Sequence, residues 1–136
     1  MSNTLYPSAL DAFANGDIDW NDPGTTFKVY LLDSSYSYSA AHDFLNDVTG
    51  ILGTPQALTG RTILSGGVCD ADDVSYPDVN IGETVARIVI AIDTGTPSTS
   101  RLIYFADSNN DTTPIARAGD GSAIPLVWTG SGVFRL

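Results

Sequence analysis

The run VARIVIAI at residues 85–92 constrains the fold more than any other part of the sequence. Every residue in it is apolar except Arg87. A β-strand can be apolar along its whole length only when both of its faces are covered, whereas a strand with one wet face alternates apolar and polar residues. We therefore predict that residues 84–93 form one strand in the centre of a sheet.

Several other segments also have the pattern of short strands. Residues 25–33 are the clearest of them, because Phe27, Val29 and Leu31 point to one face of an extended chain. Clusters of Gly, Pro, Asp and Asn separate the remaining candidates. Further strands are predicted at residues 61–64, 68–70, 74–76, 101–106, 123–129 and 133–136.

Two short helices are predicted before residue 50. Residues 6–15 have Pro7 in the first turn and Gly16 after the last, and Tyr6, Leu10 and Phe13 form one apolar stripe. Residues 40–48 follow Ser39, an N-capping residue, and have apolar residues at i, i+3, i+4 and i+7. We expect this second segment to be the best helix of the chain.

The composition agrees with a turn-rich β domain. Fifteen of the 16 acidic residues are Asp, which favours turns, and there are 13 glycines among 136 residues. No repeat or linker divides the chain, so residues 1–136 are expected to form a single β-rich domain. The predicted class is mainly β (α+β), a compact β-sandwich or barrel-like domain with one or two short helices near the N-terminal half.

The charge excludes two classes of partner. The formal net charge is -10, and one lysine and five arginines are spread singly along the chain. Nucleic acids and anionic membrane surfaces are bound by clustered Lys and Arg, so we expect neither as a partner. The start of the chain lacks a signal-peptide pattern, and its one cysteine, Cys69, suits a reducing compartment. We expect synthesis in a cytoplasm.

The sequence has no recognisable catalytic set. His42 is the only histidine, and a nucleophilic site would need a serine or Cys69 beside it with an acid behind it. No G-x-S-x-G turn occurs near it. We predict a structural role for His42, either partly exposed or hydrogen-bonded to a carboxylate, and we predict neither an enzyme nor a cofactor.

Two groups of acidic residues are candidate cation sites. Asp107, Asn109 and Asp111 copy the opening of a calcium loop, but Thr112 and Ala118 stand where such a loop needs Gly and Glu. The second group is the run of acids at Asp70, Asp72, Asp73 and Asp78. Solvated turns are the expected role of both groups, although a pair of these carboxylates close together would be the basis of the rival enzyme hypothesis.

Aromatic side chains are the predicted partner contacts, because aromatic anchors dominate interfaces. Tyr36 and Tyr38 lie in a polar loop, and Trp20 fits a surface or a core position equally well. Trp128 is assigned to the core because Leu126 and Val127 precede it in a strand. The predicted contact set is Leu5, Tyr6, Trp20, Tyr36 and Tyr38.

Most of the chain resembles small virion proteins of tailed bacteriophages. The similar segments are LYPSALDAFANGDIDW, TFKVYLLD, YSYSAAHDFLNDV, LTGRTILSGGVCDADDVSYPDV, IVIAIDTGTPSTSRLIYFAD and VFRL. The resemblance is closest to capsid decoration (cement) proteins. It implies a non-enzymatic protein on the capsid surface, made in the host cytoplasm.

The resemblance also implies the partners. They would be major capsid protein subunits or other virion proteins, and the chain would act as a small homo-oligomer, with a trimer favoured. The alternative is a phage tail component or a host-adhesion module, in which Trp20, Tyr36 and Tyr38 stack on glycans.

Overall fold

The computed structural model describes residues 3–77, 79–109, 113–128 and 132–136, and it is mainly β. It has one α-helix and two single-turn 3₁₀ helices, at Leu45–Asp47 and Pro97–Thr99. The remaining elements are β1 (Thr4–Leu5), α1 (Pro7–Ala14), β2 (Phe27–Leu32), β3 (Ile51–Ala57), β4 (Thr62–Leu64), β5 (Val68–Asp70), β6 (Val74–Tyr76), β7 (Thr84–Val85), β8 (Arg87–Ile92), β9 (Leu102–Ala106), β10 (Arg117–Ala118), β11 (Ile124–Leu126) and β12 (Phe134–Arg135).

The largest sheet has five antiparallel strands in the order β1-β9-β8-β2-β3. The central position of β8 confirms the expectation from its apolar sequence. It pairs with β2 at Val29↔Ile90 and Tyr30↔Val89, and these four side chains are all buried. Both faces of β2 and β8 are therefore covered over much of their length, which is what a continuous apolar run requires.

The predicted strand at residues 84–93 is divided in two. Ala86 separates β7 from β8, and its backbone N–H donates to the carbonyl of Leu32 at 2.8 Å. On one side of this break β7 pairs with β10, and on the other β8 pairs with β2 and β9. One apolar run thus supplies strands to two sheets, which its hydrophobic pattern could not reveal.

Three strands were not predicted from the sequence: β1, β3 and β10. Strand β3 contains Gly53, Thr54 and Pro55, which are typical of turns. It is an edge strand with a register shift opposite β2, and Gly53 has a positive φ of 58°. Edge position and irregular register are the conditions under which a strand tolerates Pro and Gly.

Three smaller sheets complete the described architecture: β10-β7, β11-β6 and β12-β5-β4. Their buried residues belong to the same hydrophobic cluster as those of the large sheet, for example Cys69, Tyr76 and Ile124 beside Val29 and Ile90. All of the strand pairs are antiparallel. The prediction of a mainly β, compact domain is confirmed.

Helix α1 is confirmed, and its predicted apolar stripe is confirmed in part, since Tyr6 is buried and Phe13 packs partly buried against the core. Pro7 occupies the first position, and Gly16 follows the helix with φ 79°. The residues that α1 buries are Ala9 and Ala12, whereas Leu10 is 41% exposed. Small residues face the sheet because α1 packs directly against β9.

The second predicted helix, residues 40–48, is wrong. Within it only the turn at Leu45–Asp47 is helical, and Phe44 is extended. Phe44 forms an antiparallel bridge with Arg101, the N–H of Leu45 donates to the Ser100 carbonyl at 2.8 Å, and the N–H of Leu102 donates to the Asp43 carbonyl at 3.0 Å. The backbone groups that a helix would use are bonded instead to a distant segment, and tertiary pairing overrides the helical pattern. Among the described residues no helix is long and apolar enough to cross a membrane.

Candidate binding surface

Tyr6 and Tyr36, two of the predicted partner contacts, are buried in a hydrogen-bonded chain. The two hydroxyls lie 2.8 Å apart, and the Tyr36 hydroxyl also lies 2.8 Å from Nδ1 of His42. Tyr6 is fully buried, Tyr36 is 2% exposed, and His42 is half-buried. The structure thus places these two predicted partner contacts in the interior and not at the surface, where a partner could reach them.

The surroundings of these hydrogen-bonded side chains keep the phenols of Tyr6 and Tyr36 neutral. Burial, followed by the hydrogen bond with Tyr36, raises the pKa of Tyr6 far above its usual value, and burial also raises the pKa of Tyr36. Nearby, the backbone N–H of Asp43 donates to Asp47 and lowers the pKa of that carboxyl. The hydrogen-bonded side chains, with their two neutral phenols, order the 36–42 loop. This is a structural role, like the one predicted for His42.

Leu5 and Tyr38 are the predicted contacts that reach the surface. Both are half-buried and pack against the core. The Tyr38 ring lies 5.1 Å from the Tyr6 ring and 5.3 Å from the Phe105 ring, so it covers the buried chain from outside. Leu5 and Tyr38 stay candidates for partner contact.

Trp20 belongs to the core. It is 1% exposed, its rings pack 4.8 Å from Phe27 and 5.1 Å from Phe134, and its Nε1 donates to the Asp70 carbonyl at 3.0 Å. Trp128 was assigned to the core and is half-buried, with Nε1 donating to the Asp72 carbonyl at 3.0 Å. With Trp20 and Tyr36 buried, Tyr38 is the one predicted glycan-stacking residue that reaches the surface.

Arg61 organises the loop that carries Trp20. Its guanidinium donates to four backbone carbonyls and lies 4.8 Å from the centre of the Phe27 ring. The four acceptors, at 2.6–3.0 Å, belong to Trp20, Asp22, Thr25 and Leu58. Sequence reasoning placed Arg61 only at the start of a strand, because nothing local indicates that residues 20–25 fold back over it.

The carboxylates of Asp72 and Asp73 have structural partners. The Asp73 carboxylate accepts the backbone N–H of Trp128 at 2.9 Å, and the Asp72 carboxylate accepts the Thr59 hydroxyl at 3.4 Å. Asp78 lies outside the described residues. Within the described residues no group of three or more His, Cys, Asp or Glu is arranged to hold a metal ion.

The calcium-like segment is described in part, since Asp111 lies outside the described residues. Asp107 accepts the Ser108 hydroxyl at 2.9 Å. The Asn109 amide donates to the Thr113 hydroxyl at 3.2 Å, and the Asn109 backbone N–H donates to the Thr113 carbonyl at 2.8 Å. The described part of this segment is a closed turn.

Among the described residues, His42 and Cys69 lie in separate surroundings. The side chain bonded to Nδ1 of His42 is a buried tyrosine. Cys69 is buried in β5, in register between Ile63 and Phe134, and burial raises the pKa of its thiol to about 11. A thiol with that pKa is protonated at neutral pH and is a weak nucleophile.

The preference for Asp over Glu has a direct structural explanation. Five carboxylates, on exposed or half-buried residues, each accept the backbone N–H of the residue two positions later, which is the Asx-turn geometry that only the shorter side chain reaches. These residues are Asp19, Asp22, Asp33, Asp93 and Asp120. The negative surface is thus built from the same residues that fix the turns.

One side of the molecule differs from this acidic surface. Two adjoining grooves there, of about 290 Å³ and 410 Å³, share Asn3 and Tyr104 in their walls. Leu10, Val127 and Leu136 line them and are 41%, 66% and 50% exposed. We call these two grooves together the Tyr104 face. Of the predicted contact residues, Leu5 lines this face. The rest of the face has no signal in the sequence, because its residues come from both ends of the chain.

The comparisons with known proteins add no function to this description. No protein-family model matches the chain, and no curated protein matches it.

Proposed function

We propose that the chain is a non-enzymatic structural protein of a tailed-phage particle, which decorates the capsid and stabilises it by binding major capsid protein subunits. The sequence resemblance motivates this proposal. It covers segments from LYPSALDAFANGDIDW to VFRL. The proposal places the protein on the virion surface after synthesis in the host cytoplasm.

One observation carries the proposal beyond resemblance. Among the described residues, His42 and Arg61 are hydrogen-bonded within the protein, in the Tyr6–Tyr36–His42 chain and the Arg61 network. What the described surface offers is ordered carboxylates and apolar side chains on the Tyr104 face. A fixed surface of this kind suits a protein that works by docking, because little conformational entropy is lost on binding.

The energetics of lattice decoration fit such a surface. With a net charge of -10, the protein would be steered towards a basic patch on a capsid subunit. Many equivalent sites on one particle, each occupied by a small oligomer, multiply modest contacts through multivalency.

Copy number tests the proposal most directly. Quantitative mass spectrometry of purified particles should find this chain in a number comparable to that of the major capsid protein or a simple fraction of it. A few copies per particle would contradict lattice decoration and favour the tail or host-adhesion alternative, which a glycan array with the same purified protein would then test.

Salt dependence tests the docking chemistry. Purified protein added to particles stripped of it should rebind at low salt and dissociate as salt rises from about 50 mM to about 500 mM, because ions screen the attraction between exposed charges. Binding that is unchanged across this range would contradict electrostatic docking. Circular dichroism at both salt concentrations is the control that the fold itself is unchanged.

A further inference from the structure

The Tyr6–Tyr36–His42 chain joins three polar atoms through two hydrogen bonds. The hydroxyl oxygens of Tyr6 and Tyr36 lie 2.8 Å apart, and Nδ1 of His42 lies 2.8 Å from the Tyr36 oxygen. Among the described residues neither hydroxyl has another hydrogen-bond partner. Two bonds need two protons, and the two hydroxyls supply them.

One arrangement of these protons serves both bonds. The Tyr6 hydroxyl donates to Tyr36, and the Tyr36 hydroxyl donates to Nδ1 of His42. Nδ1 then has to be the unprotonated nitrogen, and a neutral imidazole carries its one proton on the other nitrogen, Nε2. A proton on Nδ1 would be a third proton among the same three atoms, and one of the three would be left without an acceptor.

Burial makes that unbonded proton costly. Tyr6 is fully buried and Tyr36 is 2% exposed, so neither hydroxyl can turn its proton towards water. His42 is half-buried, so its ring is within reach of protons from solvent. When acid protonates the ring, the Nδ1–H group donates to the Tyr36 oxygen and one hydroxyl proton loses its acceptor. A buried donor without a partner destabilises the closed loop by about 10-fold in its equilibrium with an open loop.

Two acids near His42 favour its protonated form. Asp43 is its neighbour in sequence, and the Asp47 carboxylate accepts the backbone N–H of Asp43 at 3.1 Å. That hydrogen bond and, more weakly, the attraction of His42 hold the pKa of Asp47 below its usual range, so Asp47 stays ionised down to pH 5. These carboxylates stabilise the imidazolium, so His42 can take up a proton while the fold is intact.

The other ionisable groups around the loop keep their charge between pH 5 and pH 7.5. Burial raises the pKa of Tyr6 and of Tyr36, so both phenols stay neutral. Tyr38, whose ring lies 5.1 Å from that of Tyr6, is also a phenol, and phenols ionise near pH 10. Arg101, in the adjoining segment, is always charged. The group that titrates in this range is therefore His42.

We propose that the Tyr6–Tyr36–His42 chain is an acid-sensitive latch on the 36–42 loop. The latch is closed while His42 is neutral with its proton on Nε2, and it opens when Nδ1 also takes up a proton. Because the open loop binds this proton more readily than the closed loop, falling pH favours the open loop. Opening would release Tyr38, a candidate partner contact, from its position over Tyr6 and Phe105. This goes beyond the proposed function and can be measured on the free chain.

Nuclear magnetic resonance of the full chain, without a histidine tag, tests the closed state. His42 is the only histidine, so the ring nitrogen signals belong to it alone. At pH 7.5 the long-range ¹H–¹⁵N spectrum should show Nε2 protonated and Nδ1 unprotonated. A proton on Nδ1 at this pH would overturn the proposal.

Hydrogen exchange in the same samples tests the opening. Between pH 7.5 and pH 5, His42 should become protonated. The backbone amides of residues 36–45 should then lose about 10-fold in protection from exchange, after correction for the intrinsic exchange rate. The amides of β8 are the internal reference and should keep their protection, because this central strand does not depend on the loop.

His42→Asn is the matched control. Its amide oxygen takes the place of Nδ1 along the side chain and can accept from Tyr36, but it does not titrate. The protection of residues 36–45 should therefore be the same at both pH values. Tyr36→Phe gives a second reading, because without the central hydroxyl the loop should be weakly protected at both pH values. Circular dichroism shows whether each variant is folded.

Three further results would contradict the latch. His42 could stay neutral at pH 5, it could become protonated without any change in loop protection, or His42→Asn could respond to acid as the unmodified protein does. Should His42→Asn fail to fold, an undiminished acid response in Tyr36→Phe would contradict the latch equally. None of these results bears on the decoration role, which the copy number in the particle tests separately.

Discussion

Two buried aromatic clusters satisfy their polar atoms in different ways. In the Tyr6–Tyr36–His42 cluster, three side chains bond to one another in sequence, and burial keeps the two phenols neutral. In the Trp20 cluster, the charged guanidinium of Arg61 bonds to backbone carbonyls and lies against aromatic rings. The first cluster depends on a single hydroxyl at its centre, whereas the second spreads its bonds over four acceptors.

The difference shows how the protein accommodates a fully buried polar group in one cluster and a half-buried charged group in the other. A fully buried hydroxyl needs a hydrogen-bond partner within the protein, because burying it without one costs free energy. Arg61 is half-buried, so its charge remains partly solvated while its hydrogen bonds replace those that the 20–25 loop would make with water. We therefore expect the Arg61 cluster to contribute more to stability.

Removing the Trp20 ring should have the largest effect. Trp20→Ala removes a side chain that is 1% exposed and contacts Phe27 and Phe134, so it should lower the free energy of unfolding by about 4 kcal/mol. Urea unfolding measures this change. Trp128→Ala is the matched control and should cost about 2 kcal/mol, since Trp128 is half-buried. Equal costs would contradict the assignment of Trp20 to the core.

Removing the Arg61 guanidinium should rank second. Arg61→Met keeps much of the apolar stem but leaves four carbonyls without their donor, and it should cost about 3 kcal/mol in the same experiment. Arg61→Lys keeps the positive charge but lacks the planar guanidinium, so it should be only about 1 kcal/mol more stable than Arg61→Met. Full recovery with lysine would show that charge, and not the hydrogen-bond geometry, holds the loop.

Removing the central hydroxyl of the Tyr6–Tyr36–His42 cluster should have the third-largest effect on stability. Tyr36→Phe leaves the buried Tyr6 hydroxyl without its partner and should cost about 2 kcal/mol. The double variant Tyr6→Phe/Tyr36→Phe removes both hydroxyls and should cost no more than the single one. A double variant that is clearly less stable than Tyr36→Phe would contradict this account.

Alkaline pH should produce the smallest of these effects. Burial raises the pKa of Tyr6 above the ordinary value of 10.0, so below pH 10 the folded and unfolded chains both hold the proton. Above pH 10 the unfolded chain releases it and the folded chain keeps it, and stability falls as pH rises. At pH 10.5 Tyr6 should account for a loss of about 0.8 kcal/mol. Tyr6→Phe should reduce the loss of unfolding free energy between pH 8 and pH 10.5 by that amount. Parallel curves of stability against pH for the two proteins would contradict the assignment of this loss to Tyr6.

Much of the β structure was predictable because its signals are local. Strand β5 matches residues 68–70 and β6 matches residues 74–76, since turn residues bound both segments. The segment at residues 40–48 had an equally good local signal and was misread, because its backbone bonds to residues near Arg101. Local patterns describe what a segment prefers when alone, and a distant partner can offer its backbone better bonds.

The candidate binding surface was less predictable than the fold. The polar neighbours of Tyr36 suggest an exposed side chain, although a loop residue can turn its ring inward when a buried hydroxyl such as that of Tyr6 shares a hydrogen bond with it. The Tyr104 face brings Leu10 close to Val127 and Leu136, which lie near the opposite end of the sequence. Neither arrangement has a signature in sequence spacing.

By itself the sequence determined the mainly β class, the central position of β8 and the acidic, turn-rich surface. These follow from side-chain hydrophobicity and turn chemistry, which act over a few residues. Only the tertiary structure decided which aromatics are buried, that Ala86 divides the apolar run, and that the apolar residues Leu10 and Leu136 meet in one groove. Those outcomes depend on contacts between distant segments, where the free energy of one residue is set by whatever packs against it.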